Sequence, residues 1–272
     1  MPPVTQYRFI FSLDLCLPLD YARMVAKHPV NFKYLYAHFS AAVSAYDCGK
    51  FCAPLNGGEP VCCSVEHAIP VMEKAEFETL RSRSDLWRRF YPKSQADRHA
   101  LADMPRSCMG AVCKGARFCE RDNRALACRS FPFYPYHDSA GTFIGLATYW
   151  IFEDRCWIIS NLAVIRESFI QEFIAAFDYI LERDESERHT FRWQSAQHRR
   201  VFSRWKRPIF LIDREGGLLK VPPHGGDIVP ASAGELPRHG PYRSPTSYRR
   251  ALKAHGIKMT PALEADLIPV LR

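Results

Sequence analysis

Eight of the ten cysteines fall between Asp47 and Ser130, and that crowding constrains the chain more than any other feature of its sequence. They come in two sets: Cys48, Cys52 and the adjacent pair Cys62-Cys63, then Cys108, Cys113, Cys119 and Cys128. The start, Met1 to Arg8, has no basic segment followed by an apolar one, so the expected compartment is a reducing cytoplasm. There, crowded thiols serve metal ligation or redox chemistry rather than a disulfide framework. Thiolates suit soft and borderline cations because sulfur is polarizable. Close spacing lowers the entropy of gathering two ligands, and distant pairs tie separate loops to one ion. All eight are therefore candidate ligands for zinc or iron. Cys113 has the shorter gap to Cys119, and Cys108 is its alternative. Eight thiols exceed the four of one tetrahedral zinc, which leaves an iron–sulfur cluster with spare cysteines, two metals, or redox-active thiols as alternatives. Cys16 and Cys156 lie in apolar, strand-like contexts and read as packing residues. His67, four residues after the Cys-Cys pair, reads as an ordinary histidine.

The second set ends in Cys128-Arg129-Ser130-Phe131-Pro132. With Cys48, Cys52, Cys62-Cys63 and Cys119, that ending resembles the YkgJ-type cysteine-cluster proteins, a family described as zinc- or iron-chelating. The likeness covers about residues 45–135 and is strongest at the final motif. Two features depart from the family pattern: Ala53 to Val61 intervene before the Cys-Cys pair, and Arg124-Ala125 stands where the family has Arg-Pro. The resemblance implies a metal-binding module whose essential ligands are Cys62, Cys63, Cys119 and Cys128, with Cys48, Cys52 and Cys113 next. Some proteins that share the pattern, the flagellin lysine methylases, modify protein lysines. An enzyme acting on a protein or peptide substrate, methylase-like or redox, is therefore the alternative function. In either reading Arg124 and Arg129 flank Cys128, where a guanidinium lowers a thiol's pKa.

No other catalytic grammar competes. Phosphate-loop, dinucleotide, His-Glu-x-x-His and Gly-x-Ser-x-Gly motifs are absent. Hydrophobic residues make up 47% of the chain, which excludes general disorder. The longest apolar stretch, Ile144 to Phe152, is too short to span a bilayer. The net charge of +8 arises wholly in the last third, where Arg188 to Arg272 holds 16 basic and 6 acidic residues. Within it, His198 to Arg207 interleaves cations with Phe202 and Trp205, and Arg192-Trp193 precedes it. Single-stranded nucleic-acid binders share that composition, and nucleic acid is the weaker partner alternative. An amphipathic helix packing Trp193, Val201, Phe202 and Trp205 inward explains it as well.

Periodicity predicts an α+β fold. Gln6–Leu17 alternates like a strand, residues 31–47 suit a short helix, and Glu73–Ser84 suits another. Phe131–Tyr149 reads as a hairpin turning at Asp138–Gly141, Cys156–Ile159 as a strand, and 163–183 as a helix with one apolar face. Pro208–Val221 reads as a second hairpin, 222–245 as a loop, and Ser247–His255 as a short basic helix. The expected organisation is an N-terminal strand/helix segment (1–44), a cysteine-cluster module (45–135), a strand-helix-hairpin region completing the core (136–221) and a basic Pro/Gly-rich segment (222–272).

Overall fold

A computed structural model describes residues 9–11, 29–102, 104–261 and 263–264, so Cys16 and most of Gln6–Leu17 lie outside the described residues. In chain order the elements are β1 (Phe9–Phe11), α1 (Phe32–His38), α2 (Gly49–Cys52), β2 (Ala68–Glu73), α3 (Lys74–Arg81), β3 (Trp87–Arg89), α4 (Gln95–Ala100), β4 (Cys108–Cys113) and α5 (Leu126–Ser130). Then come β5 (Phe133–His137), β6 (Phe143–Thr148), α6 (Glu167–Arg183), α7 (Glu185–Arg204), β7 (Ile209–Asp213), β8 (Leu218–Val221), β9 (Val229–Pro230) and α8 (Pro245–Ala254). The chain is α+β. No described helix is long and apolar enough to cross a membrane.

Two compact units form, each discontinuous in sequence. The first gathers the described parts of Met1–His38, Cys62–Phe131 and Tyr179–Thr190; the second takes Phe39–Val61, Pro132–Asp178 and Phe191 onward. Residues 45–135 thus contribute to both.

The first unit is built on a four-stranded sheet in the order β1-β2-β4-β3. β1 runs parallel to β2, with Phe9 opposite Ala68, and the other pairings are antiparallel, with Val71 opposite Gly110 and Trp87 opposite Cys113. Leu35, Ile69, Val71, Leu80, Trp87, Ala111 and Leu126 are buried and form its core. α3 follows β2 directly and contributes both Leu80 and a buried acid, Glu76, to it.

The second unit holds an antiparallel meander, β5-β6-β7-β8-β9. The first hairpin turns where the sequence predicts, at Asp138–Gly141. Asp138 Oδ1 accepts from Thr142 N at 2.8 Å, and Gly141 takes the positive φ of 87° that the turn needs. Asp213 braces the second hairpin by accepting from Gly217 N at 2.7 Å. The expected stripe on α6 is core: Phe169, Phe173 and Phe177 are buried, and Phe39 meets Phe173 edge-on at 6.1 Å.

Two elements differ from expectation. Cys156–Ile159 is not a strand but leads into a 3₁₀ turn, Trp157–Ser160, with Asn161 Nδ2 donating to Trp157 O at 2.7 Å. An apolar run buried on every side carries no periodicity to separate strand from turn. α7 is the amphipathic helix, but only part of the expected set turns inward. Phe191, Ser195, His198 and Phe202 share its buried face, whereas Trp193 and Trp205 are 39% and 52% exposed. Trp193 sits two residues past Phe191, about 200° round the helix, and Trp205 lies beyond the helix end.

His198 gives this unit a pH signature. Its ring lies 4.3 Å from Phe202 and 4.6 Å from Trp150, and its Nδ1 shares a 2.7 Å hydrogen bond with the Tyr134 hydroxyl. Burial first, then the Arg207 and Arg199 cations, pushes the imidazole pKa down to about 3. The unfolded value is about 6.5. Between the two, the unfolded chain binds a proton that the folded chain refuses, so stability falls as pH drops. From pH 7 to pH 5 the expected loss from this group is about 2 kcal/mol. Urea unfolding at the two pH values checks it, with a smaller pH dependence expected for His198→Asn.

Candidate functional site

Four of the eight candidate ligands lie in the first unit within electrostatic reach of one another. Cys63 closes the 3₁₀ turn Val61–Cys63, Cys113 ends β4, Cys119 follows the 3₁₀ turn Ala116–Phe118, and Cys128 lies in α5. All six pairings among these thiols are close enough to act electrostatically, each thiolate raising another's pKa. Burial is the larger cause in every case. It pushes up the Cys128 thiol most strongly, followed by its neighbours Cys63 and Cys113. Arg124 works in the opposite sense on Cys119 and Cys128. The Gly115 N–H, aimed by a positive φ of 96°, donates to Cys113 Sγ at 3.4 Å and favours its thiolate. Cys62 is exposed, with its sulfur 3.9 Å from that of Cys63.

The scaffold beneath the Cys119–Cys128 loop explains its course. Trp87 is buried and its Nε1 donates to Asn123 O at 2.6 Å, while Asn123 Nδ2 donates to Glu120 at 2.6 Å. Arg129 is buried as well. Its Nε donates to Arg124 O at 2.9 Å and an Nη to Asp122 O at 2.7 Å, and its guanidinium lies 4.5 Å from the centre of the Tyr36 ring. Arg129 is therefore a brace for the loop backbone, and Arg124 is the cation that acts on the thiols. Glu76 completes the scaffold. Its Oε1 accepts from the Tyr36 hydroxyl at 2.5 Å and from Leu126 N at 2.7 Å, which fixes the first residue of the α5 turn that carries Cys128. Burial raises the Glu76 pKa, and its two donors and Arg129 oppose the rise.

Cys108 and Cys113 stand at opposite ends of β4. Five residues of strand put about 17 Å between them and point them to opposite faces. Cys113 is within electrostatic reach of Cys63, Cys119 and Cys128. Cys108 is buried, 3.8 Å from the Ser107 hydroxyl.

Cys48 and Cys52 belong to the second unit, at the two ends of the α2 turn. Their neighbour there is Cys156, whose buried thiol they push further up. Backbone-anchored aromatics frame this trio. Phe51 stacks on Trp157 at 4.5 Å, Tyr248 donates to Phe51 O at 2.9 Å, and Tyr242 donates to Arg155 O at 3.1 Å. The apolar setting of Cys156 is legible in the sequence; its partnership with Cys48 and Cys52 spans about a hundred residues and has no local signal. No disulfide joins the nine described cysteines. Among the described residues no group of three or more His, Cys, Asp or Glu is arranged to hold a metal ion as it stands. No protein-family model matches the chain, and neither a curated protein nor a solved structure is significantly similar to it.

Proposed function

We propose that the chain is a zinc- or iron-binding protein whose metal is held by Cys63, Cys113, Cys119 and Cys128, with Cys62 beside them. The observation that supports the reading is that four thiols from separate segments of one compact unit lie within electrostatic reach of one another. Four soft sulfurs fit zinc or iron in kind and in number. Burial first, and the neighbouring thiols second, hold these groups protonated without a cation, and a bound ion reverses this by favouring thiolates. Bonds of about 2.3 Å require the four segments to close further, so binding and the ordering of this unit are coupled. Arg124 offsets the negative charge that four thiolates leave around a divalent ion. The likeness of Cys128-Arg129-Ser130-Phe131-Pro132 to the cysteine-cluster family supports the same reading.

The alternative is an enzyme acting on a protein or peptide substrate, for which the aromatic run after residue 131 is the candidate pocket wall. Phe133, Tyr134 and Trp157 are fully buried core, whereas Tyr136 of the same run lines a cavity in the second unit. The test is to purify the full chain anaerobically and measure zinc, iron and labile sulfide. About one metal equivalent per chain, or an iron–sulfur cluster with matching sulfide, is expected. A folded protein with less than about 0.2 equivalents overturns the proposal.

A further inference from the structure

The second unit contains a cavity of about 370 Å³ with no part in the thiol chemistry. Three guanidinium groups line it, Arg199, Arg200 and Arg207, against one carboxylate, Asp138. Arg207 is already engaged: its Nη2 lies 3.0 Å from both Glu153 oxygens. Arg199 is held in place rather than neutralised, since its Nη1 donates to the His137 carbonyl at 2.5 Å and its guanidinium lies 5.5 Å from the centre of the Tyr136 ring. A carbonyl fixes the fork and leaves its charge uncompensated, and further donors stay open to an anion. Arg200 is exposed, and its bond to Gln197 is a long 3.3 Å.

A second observation points into the same cavity. Tyr136 lines it with a fully buried side chain, and its hydroxyl lies against the Arg199 guanidinium, which leaves its own proton free to be donated. The rim is open backbone. Gly225 and Gly226 both have positive φ, 80° and 106°, and a Cβ built on either meets nothing within 4 Å. The remaining wall is apolar, with Phe202, Ile209 and Pro222 among its residues.

We propose that this cavity binds a small phosphomonoester, with its phosphate between Arg199 and Arg200 and its organic body against the Phe202–Pro222 wall. Two guanidinium groups on one cavity, against the single Asp138 carboxylate, favour a dianion over a single carboxylate, and the planar fork matches phosphate oxygens two at a time. The Tyr136 hydroxyl supplies a third donor beside Arg199. The cavity is of the size that holds small molecules, and a bare phosphate would leave most of it unfilled.

The experiment is isothermal titration of the full chain with ribose 5-phosphate and adenosine monophosphate, with ribose, adenosine and a single-stranded oligonucleotide as comparators. Both phosphomonoesters are expected to bind with a Kd of about 1 mM or tighter, and ribose and adenosine to give no heat. Arg200→Gln is expected to weaken binding about tenfold while leaving the melting temperature of the free protein unchanged, because Arg200 is a surface residue. Tyr136→Phe removes only the hydroxyl and is expected to weaken binding by a smaller factor. Failure of both phosphomonoesters to bind overturns the proposal, as does undiminished binding by Arg200→Gln. Binding by the oligonucleotide alone also overturns it, and assigns the arginines to a nucleic-acid surface.

Discussion

Cys128→Ser is expected to empty the metal site and to cost stability on the order of a few kcal/mol, because binding free energy here is folding free energy. Serine replaces a soft thiolate by a hydroxyl that stays protonated near neutral pH and binds zinc or iron weakly. Cys128 is the sharpest position for this test: it interacts with all three of Cys63, Cys113 and Cys119, and its turn is tied to the core through Leu126. Two controls belong beside it. Cys108→Ser removes a buried thiol from the far end of β4 and is expected to leave metal content unchanged. Cys156→Ser does the same in the second unit, at a packing cost of about 1 kcal/mol. The measurement is metal per chain and melting temperature for each variant. Full metal in Cys128→Ser together with its loss in Cys156→Ser contradicts the assignment and moves the site to the trio at α2.

The second large effect lies at a residue that binds no metal. Glu76→Ala is expected to destabilise the protein by about 3 kcal/mol. Two donors, the Tyr36 hydroxyl and the Leu126 N–H, lose their shared acceptor in a site with almost no access to water. Each buried donor left unpaired costs about 1–3 kcal/mol, and the vacated volume adds a cavity term. Glu76→Gln keeps an acceptor of the same shape and is expected to lose about 1 kcal/mol. Metal affinity falls with stability in Glu76→Ala, since Leu126 begins the turn that presents Cys128. Urea unfolding of the two variants, with metal analysis alongside, checks both parts. A Glu76→Ala midpoint within about 0.5 kcal/mol of wild type contradicts the scaffold role.

The elements that sequence alone revealed are those whose signal is local. The Phe169–Phe173–Phe177 stripe repeats at helical spacing, and Asp138 and Asp213 each sit at the head of a glycine-containing turn. Glu76 is the opposite case. On an otherwise polar helix it reads as a solvated acid, and its burial follows only from Tyr36 and Leu126, 40 and 50 residues away. Arg129 likewise reads as a charge beside a thiol, while its contacts run to the carbonyls of Asp122 and Arg124. Sequence spacing left Cys108 and Cys113 as alternatives. Strand geometry separates them, because five residues of β4 carry one to each end of that strand. The candidate ligands are legible as a set, but their division between two compact units, at Val61–Cys62 and Phe131–Pro132, has no local signal in the sequence.

X-ray absorption at the edge of the bound metal, on the full chain purified without oxygen, tests the central claim most directly. It reads the donor atoms themselves, whatever the metal does. A shell of about four sulfur atoms near 2.3 Å, reduced or lost in Cys128→Ser, is the expected result. A first shell of nitrogen and oxygen alone at about 2.0–2.2 Å contradicts it.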